Sequence, residues 1–155
     1  MKLGTRGRYA VMAMVDLARH GNGDPVSLTA IAERQEISLS YLEQLFAKLR
    51  RNGLVMSVRG PGGGYRLAHD PDQIRISDII VAVDESIQAL RCTPGEAVGC
   101  RGDRSRCLTH DLWEELSNQI RLYLSSVSLG DVCEKRVLGT SGLAQRATYR
   151  VANAR

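Results

Sequence analysis

Four side chains with metal-binding chemistry lie within nineteen residues of this sequence: Cys92, Cys100, Cys107 and His110. They make up three of the four cysteines and one of the three histidines in the chain. Their intervals, Cys-x7-Cys-x6-Cys-x2-His, are filled mainly by glycine and charged residues with almost nothing apolar to bury. Thiolates and neutral imidazoles are strong ligands for soft or borderline metals, so the set predicts a metal site. Cys133 lies outside it and is interpreted as incidental.

Three explanations of this segment compete. A disulfide framework requires an oxidising compartment, but the N-terminus has no apolar signal core, which argues against it. A structural zinc ion usually closes two tight Cys-x2-Cys pairs, whereas here only the Cys107 to His110 pair is tight. An iron–sulfur cluster with two irons is wider than a zinc ion and suits ligands spread along a flexible loop. Spacing alone leaves zinc and a cluster open.

An enzyme interpretation would make Cys107 a nucleophile and His110 its base. Their separation of three residues near a helix start permits that contact. No third orienting group or oxyanion site is evident, and catalysis would leave Cys92 and Cys100 unexplained. We therefore predict that the chain is not an enzyme.

Composition and charge point to a polyanionic partner. The chain has 155 residues, 43% hydrophobic and 25% charged, as expected for one compact soluble domain with an appendage. No run approaches the roughly 18 apolar residues of a membrane span, so we expect no membrane partner and a cytoplasmic location with reduced thiols. Residues 1–68 carry ten Lys/Arg against five Asp/Glu, whereas residues 69–155 carry eleven against twelve. The basic first part predicts nucleic-acid binding.

Three helices are predicted in the first part of the chain. Apolar residues at three- and four-residue steps predict the first over about residues 7–20, and Ser27 caps a second over about residues 28–36. A third runs to about residue 52, begun by a capping box of Ser40 and Glu43 or one turn earlier by Ser38. Two short helices in succession, the second with a polar outer side, are typical of a helix-turn-helix. The predicted DNA-contacting residues of this helix are Ser38, Ser40, Tyr41, Glu43, Gln44, Lys48 and Arg51.

A hairpin directly after a recognition helix is a wing. Residues 54–59 form a β-type run, residues 60–64 are a glycine-rich turn, and residues 65–67 start a return strand. Arg59 and Arg66 flank the turn, where a basic side chain can enter a minor groove or pair with phosphate. The glycines do not form a nucleotide loop, because no Lys-Ser/Thr follows them and no helix starts there.

The second part of the chain predicts a dimerisation helix. A short helix capped by Ser77 precedes the metal-ligand loop, and the longest helical pattern follows it. Few remaining elements could cover the broad apolar side of that long helix, which favours a second copy of the chain. Its predicted dimerisation residues are Leu112, Trp113, Leu116, Ile120, Tyr123, Leu124 and Val127.

The predicted fold is mainly α with a small β-hairpin wing: a winged helix-turn-helix plus a long C-terminal dimerisation helix. The DNA-binding domain spans residues 1–84, the ligand loop 85–108, the dimerisation helix 109–135 and a flexible tail 136–155. Metal binding would order the loop against the dimerisation helix, which gives a route from metal occupancy to DNA affinity.

Several stretches closely resemble the IscR family, iron–sulfur winged-helix regulators of iron–sulfur biogenesis genes. The resemblance covers most of residues 1–135, and the wing sequence together with the three-cysteine loop is highly specific. The intervals of seven and six residues between cysteines are longer than in the family pattern. The nitric-oxide-sensing NsrR group shares the winged helix and three cysteines and is the alternative. The matching stretches are 7–11, 37–46, 58–65, 82–86 and 107–110.

The resemblance implies a homodimer with one [2Fe-2S] cluster per subunit, held by Cys92, Cys100, Cys107 and His110. It also implies a near-palindromic double-stranded operator, with Arg59 in the minor groove. In this family the loaded form represses the cluster-assembly operon, and the apo form acts at a second class of site. A zinc-stapled DNA-binding regulator, indifferent to redox state, is the rival interpretation from the residues themselves.

Overall fold

The computed structural model describes residues 4–87, 101 and 105–138. These residues are mainly helical with one two-stranded antiparallel sheet, which confirms the predicted fold class. In chain order the elements are α1 (Thr5–Gly21), α2 (Leu28–Gln35), α3 (Leu39–Arg51), β1 (Val55–Val58), β2 (Gly64–Leu67), α4 (Ile76–Ala82), α5 (His110–Ser126) and α6 (Leu129–Cys133), followed by a 3₁₀ turn at Arg136–Leu138.

Serine caps set the starts of α2 and α3. The Ser27 hydroxyl accepts a hydrogen bond from the backbone N–H three residues on at 3.2 Å, and the Ser38 hydroxyl does the same at 3.3 Å. The prediction that Ser40 and Glu43 form a capping box is therefore wrong, since the helix has already begun when it reaches Ser40. After α3, Gly53 takes a left-handed conformation at φ 72° and turns the chain into the hairpin.

An extended residue just before α2 pairs with the hairpin and attaches it to the helices. Val26 pairs with Tyr65 of β2 through two backbone hydrogen bonds of 2.9 and 2.8 Å. A Cβ at Gly64 would collide with the Val26 carbonyl, so only glycine permits this close approach. The Tyr65 ring packs edge-on against Phe46 of α3, with ring centroids 5.0 Å apart. The hairpin is thus fixed to α3 by side-chain packing and not merely joined to it by the chain.

A buried ion pair joins α1 to α2. Asp16 is 2% exposed and accepts hydrogen bonds from Arg34 at 2.6 Å and from Gln35 at 2.7 Å. Burial alone would raise the pKa of the Asp16 carboxyl, but the bonds from Arg34 and Gln35 outweigh it and hold that pKa below its ordinary value. The charged carboxylate therefore stabilises the fold.

The predicted dimerisation segment 109–135 is not one helix. The α5 helix ends at Ser126, Val127 is extended, and Ser128 starts α6 through a capping box with Asp131. The break occurs because this connection pairs with the segment before α4: the Ile76 N–H donates to the Val127 carbonyl at 3.0 Å. Residues 127–129 therefore join α5 to the DNA-binding unit.

Two further boundaries differ from the prediction. Helix α4 begins at Ile76 without a side-chain cap, so Ser77 lies buried inside the first turn and is not its cap. Residues 136–138, predicted as the start of a flexible tail, form a 3₁₀ turn in which Arg136 pairs with Asp131 at 3.0 Å and Asp72 at 3.2 Å. The rest of the predicted tail, residues 139–155, lies outside the described residues.

We predict that Asp16→Asn lowers the free energy of unfolding by about 2 kcal/mol at neutral pH, because an amide cannot accept all the hydrogen bonds donated by Arg34 and Gln35. The folded-state pKa of Asp16 lies below its unfolded value, so this stabilisation is complete above about pH 5 and is lost as the pH falls through the folded pKa. Urea denaturation from pH 7 down to acid measures both effects. Asp24→Asn, a matched substitution at an exposed position, should change neither the free energy of unfolding nor its pH dependence. Equal losses of stability in both variants would contradict the stabilising role of the Asp16 carboxylate.

Candidate nucleic-acid interface and metal-ligand segment

The outer side of α3 carries exposed polar side chains. Its apolar stripe of Leu42, Leu45, Phe46 and Leu49 is buried, which turns the opposite side of the helix outward. Residues near the start of a recognition helix contact base edges when it enters a major groove. The predicted contact residues that are exposed on α3 and its cap are Ser38, Ser40, Glu43, Gln44 and Arg51.

Tyr41 and Lys48 are less free than predicted. The half-buried Tyr41 ring packs edge-on against Tyr9 of α1, with ring centroids 6.0 Å apart. The Lys48 ammonium lies 2.8 Å from Asp84 at the end of α4. The hydrogen bond from Lys48, supported by the charges of Lys48, Arg6 and Arg51, lowers the pKa of the Asp84 carboxyl. Lys48 is thus already paired within the protein.

The two wing arginines occupy different places. Arg59 is exposed immediately after β1 and next to the glycine turn, where Gly60 and Gly62 have φ of 97° and 72°. Arg66 is also exposed, but it lines an open cavity of about 460 Å³ together with residues at the end of α1. Arg59 therefore has the geometry of a wing-tip contact, and Arg66 lies further back on the hairpin.

Two residues near the interface were not anticipated. Leu39, the first residue of α3, is 39% exposed beside the Ser38 cap. Arg50 in the last turn is exposed and donates to the Ser57 hydroxyl of β1 at 3.4 Å. A hydrophobic residue directly after a helix cap and a third cation in the basic last turn were the available signals in the sequence.

Two of the four predicted metal ligands lie at the start of α5. They are three residues apart in one turn, where the His110 backbone N–H donates to the Cys107 carbonyl at 3.0 Å. Cys107 is half-buried and His110 is 8% exposed. The other two predicted ligands, Cys92 and Cys100, lie outside the described residues. A sulfur and a shielded imidazole at one helix end fit a metal or cluster with mixed sulfur and nitrogen ligation.

Carboxylates adjoin this helix end and were not anticipated. One candidate ligand atom from each of His110, Asp111 and Glu114 lies within 4.8 Å of the others, and the His110 Nε2 is 3.8 Å from a Glu114 oxygen. The spacing of these residues by one and four positions on a helix could have indicated the cluster. Carboxylates beside a ligating imidazole commonly fix its orientation.

Cys133 lies elsewhere, half-buried on α6. Burial raises the pKa of its thiol, while the charge of Arg19 on α1 acts in the opposite direction. A raised pKa disfavours the thiolate, which is the form that binds metals.

The predicted dimerisation residues of α5 divide into two groups. Leu112, Trp113 and Tyr123 are 61%, 41% and 53% exposed. Leu116 is half-buried, whereas Ile120, Leu124 and Val127 pack against the core of the DNA-binding unit. The helix therefore uses one side within the chain and keeps another apolar side exposed. None of the helices in the described part of the chain is long and apolar enough to cross a membrane.

A family model described as "Rrf2: Iron-dependent Transcriptional regulator" matches residues 3–135. The chain belongs to the Rrf2 family. This membership confirms the prediction of a winged-helix DNA-binding regulator and excludes the enzyme interpretation. In this Rrf2 protein, α3 is the recognition helix and β1 with β2 form the wing.

Individual relatives support the resemblance to IscR. The chain is 53% identical to the transcriptional regulator IscR of Photorhabdus laumondii, over all of this chain and 93% of the relative. It is 58% identical to IscR of Aliivibrio salmonicida over 85% of this chain and 77% of the relative. The solved structure of T. potens IscR is 42% identical, with a TM-score of 0.70 and 88% of each chain covered. The global cysteine regulator CymR of B. subtilis is 33% identical, with a TM-score of 0.71, 87% of this chain and 98% of that chain covered.

We predict that Arg59→Ala weakens binding to an operator, selected from random DNA with the wild-type protein, by roughly tenfold and lowers the salt dependence by about one ion. The exposed wing-tip guanidinium is lost while the fold is untouched. Fluorescence anisotropy titrations at several salt concentrations measure both quantities. Arg19→Ala, a matched loss of charge on α1, should leave both unchanged, and wild-type affinity in Arg59→Ala would contradict the wing-tip role.

Proposed function

We propose that this Rrf2 protein is a homodimeric regulator that senses iron–sulfur supply through a [2Fe-2S] cluster and controls genes of iron–sulfur cluster biogenesis. The proposed cluster ligands are Cys92, Cys100, Cys107 and His110. The observation that carries the proposal is that Cys107 and the buried His110 lie within one turn of each other at the start of α5, in a family of iron-dependent regulators.

Family membership favours iron over zinc at these ligands. The family description specifies iron dependence. Two relatives that align with most of this chain carry the name IscR, which favours an IscR-type regulator over the NsrR alternative. Three thiolates and one imidazole are also a ligand set that Fe–S clusters accept. When bound, the cluster supplies a group whose presence depends on iron, sulfide and redox conditions. The protein supplies the ligands and shields His110.

The location of this site suggests how occupancy reaches the DNA. His110 is the first residue of α5, and α5 is joined to the DNA-binding unit through residues 127–129 and packing against α4. Ordering the ligand loop at one end of α5 can therefore change how α5 is held against the domain that carries α3. The same helix would set the spacing of two recognition helices in a dimer.

The exposed apolar side of α5 supports dimerisation. Leu112, Trp113 and Tyr123 present large apolar surfaces that an isolated chain would leave in water. A second copy of the chain related by a twofold axis would cover them with the same residues. Two symmetric recognition helices then require a near-palindromic operator with half-sites on the order of 34 Å apart, or a multiple of that.

The polar residues of α3 and the wing have different proposed roles in DNA recognition. Ser40, Tyr41, Glu43 and Gln44 are the proposed base readers, because their positions on α3 place hydrogen-bonding groups at its outer side and its edge. Ser38, Arg51 and Arg66 are placed to hold the phosphate backbone, and Arg59 to enter the minor groove. Glu43 differs from the others in charge. A carboxylate accepts from cytosine but is repelled by phosphates and by acceptor edges, so it selects against wrong sequences.

We predict that anaerobically purified protein contains about two irons and two acid-labile sulfides per subunit, with visible absorption. Cys92→Ala and His110→Ala should each lose most of the colour and iron, because each removes a proposed ligand. Cys133→Ala is the matched control and should keep both. Iron, zinc and sulfide assays on one sample, with its absorption spectrum, test this; a colourless protein with one zinc per subunit would establish the zinc-stapled alternative instead.

We also predict that Glu43→Ala broadens the DNA sequences bound by the apo protein, because the substitution removes a repelling charge. Competition titrations against a panel of single-base operator variants measure the effect. In Glu43→Ala, the ratio of affinities between the operator and its single-base variants should fall to a few-fold. Gln44→Ala is the comparison variant: losing an uncharged reader should weaken operator binding and relax discrimination only at its own base pair, without the gain in affinity for variant operators expected of Glu43→Ala. Unchanged discrimination in Glu43→Ala would reject the role given to this carboxylate.

A further inference from the structure

The last turn of the recognition helix is attached to the end of α4 at two points. The Lys48 ammonium lies 2.8 Å from the Asp84 carboxylate. One turn further on, the Asn52 side-chain amide donates to the Ala82 carbonyl at 3.3 Å and to the Lys48 carbonyl at 2.9 Å. Lys48 and Asn52 are four residues apart, so they lie on one flank of α3. This flank holds the helix to the residues that lead toward the ligand loop.

Lys48 does not share the exposure of the DNA-facing residues. Its side chain is 28% exposed, and around the helix it lies about 140° from Glu43 and about 40° from Gln44. Glu43 and Gln44 are exposed and, within the described residues, no ion pair or side-chain hydrogen bond is assigned to them. Lys48 already has a carboxylate partner on the flank facing α4. Pairing thus distinguishes the attached flank, Lys48 with Asn52, from the reading residues Glu43 and Gln44.

The residues after α4 are held by contacts with α3 and with the start of α1. Asp84 has a left-handed backbone at φ 56°, which is uncommon for a residue other than glycine and persists where the surrounding contacts require it. The next residue, Glu85, lies against Gly4 and Gly7 at the start of α1, where a Cβ at Gly7 would be 3.2 Å from the Glu85 side chain. Ile87 is buried at 8% exposure. Five residues later in the sequence comes Cys92, the first proposed ligand.

We propose that Lys48 is a positioning residue: its ion pair with Asp84 ties the recognition helix to residues 82–87 and so couples occupancy of the ligand loop to the placement of α3. The proposal rests on the proposed function for the identity of the cluster. It replaces the sequence-based expectation that Lys48 contacts DNA. In this role Lys48 acts through the position of Glu43 and Gln44, which contact the bases.

A half-exposed ion pair suits this role. The Asp84 side chain is 72% exposed, and pairs of this kind contribute little to folding stability because water screens them. Loss of the pair therefore leaves the domain folded. A contact between two preformed elements can still bias the position of one relative to the other, which is what transmission of a loop rearrangement requires.

The test compares Lys48→Met, Asp84→Asn and the double variant with wild type, in cluster-loaded and apo forms of the full chain. The ratio of loaded to apo operator affinity should fall to about one third or less in each single variant, and the double variant should show no further fall because both changes break one contact. The salt dependence of binding should be unchanged in Lys48→Met, since no phosphate contact is lost. Lys135→Met, a lysine outside α3 and α4, is the matched control.

Two results of the variant titrations would overturn the proposal. One is a wild-type ratio in both single variants; the other is a salt dependence lowered by about one ion in Lys48→Met alone, which would make Lys48 a phosphate contact. If the loaded and apo forms of the wild-type protein bind the operator equally well, the sensing function is contradicted, and the coupling with it. Hydrogen exchange of the apo protein tests the tie without any cluster: the amides of residues 52–54 should exchange severalfold faster in Asp84→Asn, and unchanged rates would contradict the tie even where sensing holds.

Discussion

The burial of one side of α3 is the constraint on which the DNA-binding surface depends. Leu42, Leu45, Phe46 and Leu49 are each at most 2% exposed. Burying side chains of this kind contributes roughly 1.5–3 kcal/mol each, far more than any surface contact in the domain. The rotation of α3 about its axis is therefore set by its core side. The polar side chains, the attached flank and the wing contact through Phe46 and Tyr65 all follow from that rotation.

A second constraint joins the metal-ligand end of α5 to this domain. The connection at residues 127–129 pairs by backbone hydrogen bonds with residues 74–76, and Leu129 is fully buried. The α5 helix is consequently part of the DNA-binding unit at one end and carries Cys107 and His110 at the other. Its exposed apolar side is the proposed contact with a second copy of the chain. One helix thus relates three proposed events: ligand binding, dimerisation and placement of the recognition helices.

Local signals in the sequence predicted much of this arrangement. Ser27 and Ser38 mark helix starts because a serine before an apolar stripe supplies the missing hydrogen-bond acceptor. The glycine turn and β-type runs predicted the wing for a similarly local reason. The capping box at Ser40 was wrong because two serines two residues apart offer the same signal, and burial of the helix decided between them. The break at Val127 depends on pairing with residues distant in sequence, which no local pattern encodes.

The residue types of the candidate site could be predicted from the sequence, but the contacts between its side chains could not. Cys107 and His110 were identified by ligand chemistry and spacing alone, whereas the neighbouring Glu114 and Asp111 belong to an ordinary charged helix turn when read from sequence. Lys48 was assigned to DNA because lysines on a recognition helix often bind phosphate. Its partner Asp84 lies 36 residues further along the chain, and only the packing of α3 on α4 brings the two together.

The central claim is that metal occupancy at the start of α5 controls DNA affinity. The most direct measurement is an anisotropy titration of one selected operator with a single anaerobic preparation, before and after removal of its iron, beside Cys107→Ser treated identically. Removal of iron should weaken wild-type binding by at least about tenfold and leave the already weak binding of Cys107→Ser unchanged. Equal affinity of the loaded and stripped wild-type protein at every selected operator would contradict it.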